Sequence, residues 1–354
     1  MAKKFDRQIG MDILSLTFEA FREEVARRYG KDQYVAADLY RQIFIHGAPS
    51  LSASRNRSVT TSLIEAVVRD LQIPPWQVTA EHQEEGLLKF VTRLLDGLEI
   101  ESVIIPMVSH VTLCVSSQVG CGMGCGFCET GAMGLIRNLT VAEITGQVFT
   151  AKMRYGFAIQ NIVFMGMGEP LHNFDAVVQA IRVLTDPRGF NIAMGRITLS
   201  TSGLSDRIEA LGRLKGFSLH LAISLNAPND SIRSKIMPVN RNHSMARLKE
   251  VLSGYPLARK RVFYIEYVVL KGVNDSRHDA HELLQFLSPL PVWFNLIGYN
   301  KSADRGFAPT SEADVEQFRS YLIEKGAFVR KRAVRGRSVM GACGQLGNRP
   351  RWEG

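Results

Sequence analysis

The stretch Cys114-Val-Ser-Ser-Gln-Val-Gly-Cys121-Gly-Met-Gly-Cys125-Gly-Phe-Cys128 decides how this chain is read. Cys121, Cys125 and Cys128 have the spacing C-x3-C-x2-C. Thiolates so close together, with Gly120, Gly122, Gly124 and Gly126 letting the backbone fold tightly round them, suit a compact metal centre rather than disulfides. Three thiolates leave one iron of a 4Fe–4S cube without a protein ligand, and an open iron binds something else. A structural zinc site normally closes four ligands, so the alternative is zinc held by these three cysteines plus Cys114.

Working outward, residues 111–116 read as a strand that runs directly into this loop. Before it, strands over 87–95 and 99–105 flank Asp96-Gly97, a good hairpin turn. After it, strand and helix alternate. Strands are expected over 161–164, 197–200, 218–225, 262–270 and 292–299. Helices are expected over 141–154, 174–184, 205–214, 244–252, 276–287 and 311–325, the last capped by Thr310 or Ser311. This α/β alternation predicts a partial (β/α)6 barrel with its chemistry at the carboxyl ends of the strands. Residues 1–80 read instead as a small helical accessory domain, with helices over 11–28, 36–46 and 62–71 ended by Pro74-Pro75. The barrel domain is then 81–354.

Bulk properties exclude several classes. With 354 residues, 45% hydrophobic and 22% charged, the composition is that of a soluble globular protein of one large domain plus a small one. No apolar run approaches the ~18 residues of a membrane span, and Met1-Ala-Lys-Lys-Phe-Asp lacks a signal peptide's apolar core. A cytoplasmic protein without membrane association is the expectation. Five cysteines, odd in number and clustered, fit a reducing compartment. The net charge of +9 favours a polyanionic partner such as nucleic acid.

The unusual residues fall at the expected strand ends. Gly166-Met-Gly168-Glu169-Pro170 offers close backbone approach and a carboxylate that can accept from an ammonium group. Ser200-Thr-Ser-Gly203, Ser224-Leu225-Asn226 and Asn300 offer hydroxyls and amides suited to ribose and carboxylate groups. Near the carboxyl terminus, Lys325, Arg330, Lys331, Arg332, Arg335 and Arg337 form a phosphate-contacting strip or a solvated face. The strip leads to Gly341-Ala-Cys343-Gly-Gln-Leu346, where glycines on both sides keep Cys343 on an accessible loop. The residues alone leave Cys114 and Cys343 without an assigned role.

Together these motifs carry a resemblance. C-x3-C-x2-C is the signature of the radical S-adenosylmethionine (SAM) superfamily. Cys114–Cys121, Phe127-Cys128, Arg137-Asn138-Leu-Thr140, Met165–Pro170, Leu199–Gly203, Ala222–Leu225 and Ala342–Leu346 closely resemble the RlmN/Cfr family of radical SAM RNA (adenine) methyltransferases. Arg41-Gln-Ile-Phe-Ile-His-Gly47 is similar to that family's accessory, RNA-binding-like domain. The resemblance spans nearly the whole chain. It implies methylation of adenosine carbon 2 or carbon 8 in RNA, ribosomal and also transfer RNA, by a cytoplasmic monomer served by a flavodoxin or ferredoxin.

It also implies roles. One 4Fe–4S cluster would be held by Cys121, Cys125 and Cys128. SAM would be bound by Gly168 and Glu169 at its amino group, by Ser200 at its ribose, and by Ser224, Leu225, Asn226 and Asn300 nearby. Cys343 would take a methyl group from one SAM. A 5′-deoxyadenosyl radical from a second would abstract hydrogen from it, and the resulting methylene would join the adenine. Glu101 would accept the ring proton, and Cys114 would attack the Cys343 sulfur to form a transient disulfide and release the product. Arg137 and Asn138 would order the loop or contact RNA.

The chain departs from the family at Glu129, where a small residue is usual, at Asn226, where histidine stands, and at Ser338–Gly341, which lacks two acids. A divergent relative acting on another RNA position or a non-RNA acceptor, and a non-catalytic zinc protein binding nucleic acid, are the alternative readings.

Overall fold

Polar caps and apolar strands set the architecture of the computed structural model, which describes residues 10–30, 33–47, 61–74, 76–299, 305–332 and 344–347. The chain opens with β1 (Met11–Asp12) and a 3-10 turn, Ile13–Ser15. Helices α1 (Phe18–Tyr29), α2 (Gln33–His46) and α3 (Thr61–Asp70) and strand β2 (Leu71–Gln72) follow. The helix expected from residue 11 starts only at Phe18, because the Thr17 hydroxyl accepts from the Ala20 N–H and fixes the start there.

Strands β3 (Gln77–Glu84), β4 (Leu87–Arg93), β5 (Glu99–Pro106) and β6 (Val111–Cys114) form an antiparallel run. β3 was not expected, and it begins ahead of residue 81. It is an edge strand of polar residues without a buried face to mark it. The cysteine loop, with the short helix α4 (Glu129–Ala132), is bracketed by a hairpin of β7 (Gln118–Gly120) and β8 (Leu135–Asn138).

From there the chain alternates through α5 (Val141–Met153), β9 (Asn161–Phe164), α6 (Phe174–Thr185), β10 (Ile197–Thr201), α7 (Ser205–Gly212) and β11 (His220–Ser224). It continues through α8 (Asp230–Ile236), α9 (Met245–Gly254), β12 (Phe263–Val269), α10 (Arg277–Leu287), β13 (Val292–Gly298), α11 (Glu312–Glu324) and β14 (Val329–Lys331). Capping boxes start three of these helices, at Thr140/Glu143, Ser276/Asp279 and Ser311/Asp314.

One ten-stranded sheet results, ordered β14-β13-β12-β11-β10-β9-β6-β5-β4-β3. β6 and β9 to β14 run parallel. The parallel part curls: Arg332, just past β14, donates from a guanidinium nitrogen to the sulfur of Met165, just past β9, at 3.5 Å. This is the partial barrel that the alternation predicts. β14 was not foreseen as a strand, and its charged residues do not form a uniform solvated face. Arg330 lies over Trp293, Lys331 pairs with Glu312, and Arg332 turns toward Glu266.

Two buried clusters hold the molecule. The larger lies between the sheet and its helices. The smaller joins Phe21, Tyr40, Ile43 and Phe44 to Ala142 and Phe149 of α5 and Val183 of α6. Between them, Trp76 packs on α5 where a side chain at Gly146 would come within 2.3 Å of its ring. Among the described residues no helix is long and apolar enough to cross a membrane.

At the amino-terminal end of the barrel lumen, His220 stacks on Tyr264 with centroids 5.1 Å apart and meets Arg261. Burial and then the Arg261 charge push its pKa down to about 4.

Two predictions follow from this packing. Gly146→Ala should destabilise the fold by about 1–3 kcal/mol, read as a lower urea midpoint, although alanine is the better helix former by ~1 kcal/mol. His220 is held neutral in the fold while the unfolded chain protonates near its ordinary value, so stability falls as pH drops from about 6.5 toward about 4. His220→Gln should shrink the gap between urea midpoints measured at the two ends of that window.

Candidate active site

The carboxyl ends of the parallel strands surround one cavity, and Cys121, Cys125 and Cys128 face it together with Gly168, Glu169 and Ser200. Ser224 and Asn226 complete that wall. The cysteine loop is folded by main-chain bonds: the Cys121 N–H donates to Gly134 O at 2.8 Å and the Gly126 N–H to Ile236 O at 2.9 Å. Gly120 has φ +75°, and a side chain there would drive into the Gly134 carbonyl, so this turn needs glycine.

The thiols suit an iron–sulfur cluster. Burial pushes Cys121 up to about 12 and raises Cys125 and Cys128 as well. Such thiols stay protonated unless a cationic centre draws the protons off, as a bound metal does. Among the described residues no three His, Cys, Asp or Glu side chains converge as ligands of a single metal ion do. Cys114 lies on β6 between Val103 and Val163 and is not part of the cavity wall, so it is not placed as a fourth zinc ligand.

Glu169 is buried, and that burial raises its pKa. Its carboxylate accepts from Ser202 N–H at 2.7 Å and Leu171 N–H at 3.1 Å, while its own N–H donates to the Gln118 side chain at 2.9 Å. A carboxylate so desolvated is stabilised by an arriving ammonium group. Gly168, at φ +98°, packs so closely that a Cβ would stand 2.5 Å from Gln118. The Ser200 and Ser224 hydroxyls lie 3.4 Å apart at the ends of β10 and β11.

Two of the expected cofactor contacts have other duties. Asn226 adopts φ +58°, a region that asparagine and histidine enter more readily than most residues. Its amide oxygen accepts from Val268 N–H at 2.8 Å, so the side chain ties β11 to β12. Leu225 is buried behind the wall, its carbonyl accepting from Arg233 at 3.0 Å. Asn300, Cys343 and Ser338–Gly341 lie outside the described residues.

The segment 344–347 is docked between the cluster loop and β5. The Glu129 N–H donates to Gly344 O at 2.8 Å, the Thr130 hydroxyl to Leu346 O at 2.6 Å, and the Gly347 N–H to a Glu101 carboxylate oxygen at 3.1 Å. Glu101 is buried rather than solvated, and the Ser116 hydroxyl donates to its carbonyl at 2.7 Å. Cys114 is a buried cysteine on the neighbouring strand. Neither it nor Glu101 lines the cavity, whereas Gly344 and Leu346 do. The unusual Glu129 is ion-paired with Arg305. Arg137 and Asn138 order the loop: Arg137 binds Glu143 through two nitrogens at 2.8 Å, and Asn138 accepts from Gln118 at 2.7 Å.

Sequence reading missed Arg233, whose fully buried guanidinium binds the carbonyls of Ser202 and Leu225 and the Asn240 side chain. Burial lowers its pKa to about 10. One arginine on a polar helix gives no sign of this. Lys89 on β4 and Glu266 on β12 were missed because a single charged residue in an apolar strand does not show what it faces. Gln118 stood inside the quoted Ser-Ser-Gln-Val-Gly motif, which was its signal.

Known proteins similar to this chain bear on its family. Residues 115–287 match the Radical SAM superfamily. The Probable dual-specificity RNA methyltransferase RlmN 1 of Protochlamydia amoebophila is 42% identical over 340 residues, covering 96% of this chain and 94% of that protein. The Dual-specificity RNA methyltransferase RlmN 2 of Myxococcus xanthus is 41% identical, covering 96% and 91%. The crystal structure of a radical SAM methyltransferase from Sphaerobacter thermophilus superimposes with a TM-score of 0.87 at 36% identity, over 95% of this chain and 99% of that one.

Gly168→Ala should weaken SAM binding by at least about tenfold, some 1.4 kcal/mol, in cluster-loaded protein titrated by calorimetry. Curated relatives about 40% identical along almost the whole chain, a matching fold and three thiols lining one cavity at the strand ends lead to one conclusion: this chain belongs to the RlmN/Cfr family of radical SAM RNA methyltransferases, enzymes that use SAM and an iron–sulfur cluster.

Proposed function

We propose that this chain methylates a ring carbon, carbon 2 or carbon 8, of an adenosine in ribosomal RNA, and in transfer RNA as a second substrate, through a methyl group carried on Cys343. The observation that carries this reading is the docking of residues 344–347. The four residues after Cys343 are bonded both to α4, beside the cluster cysteines, and to Glu101. β5, which holds Glu101, pairs with β6, which ends in Cys114. Gly344 and Leu346 line the cavity, and the strands that carry Glu101 and Cys114 are paired next to that segment, which supports bringing the three groups into one reaction.

In this reading Cys121, Cys125 and Cys128 hold a 4Fe–4S cluster with one open iron. Glu169 and Gly168 receive the amino group of SAM, Ser200 its ribose, and Ser224, Asn226 and Asn300 the remainder, with Leu225 backing that wall. When bound, the cluster supplies the electron that gives SAM radical chemistry, which a poorly nucleophilic adenine carbon requires.

The chain's own groups do the rest. The Cys343 thiolate takes a methyl group by displacement at SAM. Joining the carried carbon to adenine leaves one unpaired electron, which a one-electron acceptor of the iron–sulfur class would take, and Glu101 accepts the ring proton. The Cys114 thiolate then attacks the Cys343 sulfur; the sulfur–carbon bond breaks, a disulfide forms, and the released carbon takes a proton. Reduction by an external dithiol resets the pair. Residues 1–80 act as the accessory unit toward RNA, and a flavodoxin or ferredoxin supplies electrons to a monomeric enzyme. The names of the relatives and the net charge of +9 support an RNA substrate.

The test is the peptide mass around Cys343 in cluster-loaded protein. One added methyl group is expected, absent from Cys343→Ala, with about four irons per chain. RNA from cells with and without the gene, digested to nucleosides, should differ by a methyladenosine. Unmodified Cys343 with no new nucleoside would sink the reading.

A further inference from the structure

A lysine that none of these roles uses is buried beside the proposed base. The Lys89 side chain on β4 is only 4% exposed, and its ammonium stands 3.5 Å from the carboxylate oxygen of Glu101, itself 7% exposed. In the β4–β5 register Val91 faces Glu101 and Lys89 faces Val103, which makes Lys89 and Glu101 diagonal neighbours on one face of the sheet. The Glu101 oxygen that meets Lys89 is also the one that accepts from Gly347 N–H.

A buried ammonium is costly to desolvate, and a buried ion pair is often matched or bettered in stability by apolar residues of the same size. The neighbours on that face, Val91 and Val103, are buried and apolar and could accept such residues. A charged pair kept in that setting fits a requirement for charge at Glu101 rather than for packing.

We propose that Lys89 is the positioning residue of the base. It holds the Glu101 carboxylate ionised and aimed, so that one oxygen docks the segment after Cys343 and, when that segment lifts, accepts the adenine proton. In that step the ring C–H bond breaks, its electron pair stays in the ring, and the proton goes to Glu101. Lys89 keeps its own protons throughout and balances the carboxylate before and after. The segment 344–347 and the base are thereby coupled: the contact that seats the carrier loop also orients the acceptor.

This role rests on the adenosine-methylating reading, and the experiment separates the two. Wild type, Lys89→Met, Lys89→Arg, Glu101→Gln and the Lys89→Met/Glu101→Gln double variant are loaded with cluster and SAM. Cys343 methylation is read by peptide mass, and methyladenosine formation on RNA is measured as kcat and KM. Lys89→Met should keep the Cys343 methyl group, because that displacement does not need the base. It should lower kcat by at least about tenfold with KM for RNA unchanged. Lys89→Arg should recover most of the rate. The double variant should be no slower than Glu101→Gln alone, since Lys89 acts only through that carboxylate.

An unchanged kcat in Lys89→Met, or a double variant slowed by the product of the two single effects, would overturn the proposal. So would loss of Cys343 methylation together with rate, the mark of a purely structural residue. Where Lys89→Met does not fold, Lys89→Gln carries the same comparison. A wild-type protein that forms no methyladenosine would instead overturn the activity reading itself, a result the variants' relative rates cannot mimic.

Discussion

A carboxylate withheld from water is the constraint on which this site depends. Glu169 is buried at the end of β9 and is tolerated because main-chain N–H groups of Ser202 and Leu171 converge on it. Those donors come from two places, the end of β10 and the turn after Glu169, while Gln118 of the cluster hairpin grips the Glu169 main chain. The ends of β7, β9 and β10 therefore have little freedom to shift. Gly168 is part of the same constraint, since only a residue without a side chain lets the backbone approach Gln118 so closely. Arg233 supplies the complement one strand further round. Its buried guanidinium ties the carbonyls at the ends of β10 and β11, so a cation bound to backbone oxygens braces the wall that Glu169 braces from the other side.

This bracing makes a rigid half-ring of strand ends, against which a less regular element is docked. Hydrogen bonds among the described residues tie 344–347 to α4 and to Glu101. Such contacts are individually worth about 1 kcal/mol, so each can seat the segment and still be exchanged. The chemistry proposed for Cys343 needs that combination, because one sulfur must meet SAM, adenine and Cys114 in turn. The departure at Glu129 is accommodated in the same region: its charge is met by Arg305, and its backbone N–H seats Gly344. At Asn226 the family's histidine is replaced by another residue at home at positive φ, and its amide is committed to β12. That exchange keeps the turn and removes a titratable ring from the wall.

The sequence alone determined the barrel, because alternation of short apolar runs with capped helical segments is a local property that the chain displays in order. It determined the cysteine loop as well, since the spacing of the cysteines and the glycines between them are fixed by covalent connection. Gly168 and Glu169 were legible for the same reason. Only the tertiary structure decided where charges go. From sequence, Lys89, Arg233 and Glu266 are ordinary polar residues, and the basic strip after Lys325 reads as a single face. In the fold Lys89 is sealed against Glu101 and Arg233 among carbonyls, while Arg332 pairs with Glu266 and Arg330 rests on Trp293. β3 and β14 escaped notice because their partners, not their own composition, make them strands. A local pattern can announce an element or a ligand loop. The cost of burying a charge is settled only by which distant group arrives beside it, and that is fixed when the chain is folded.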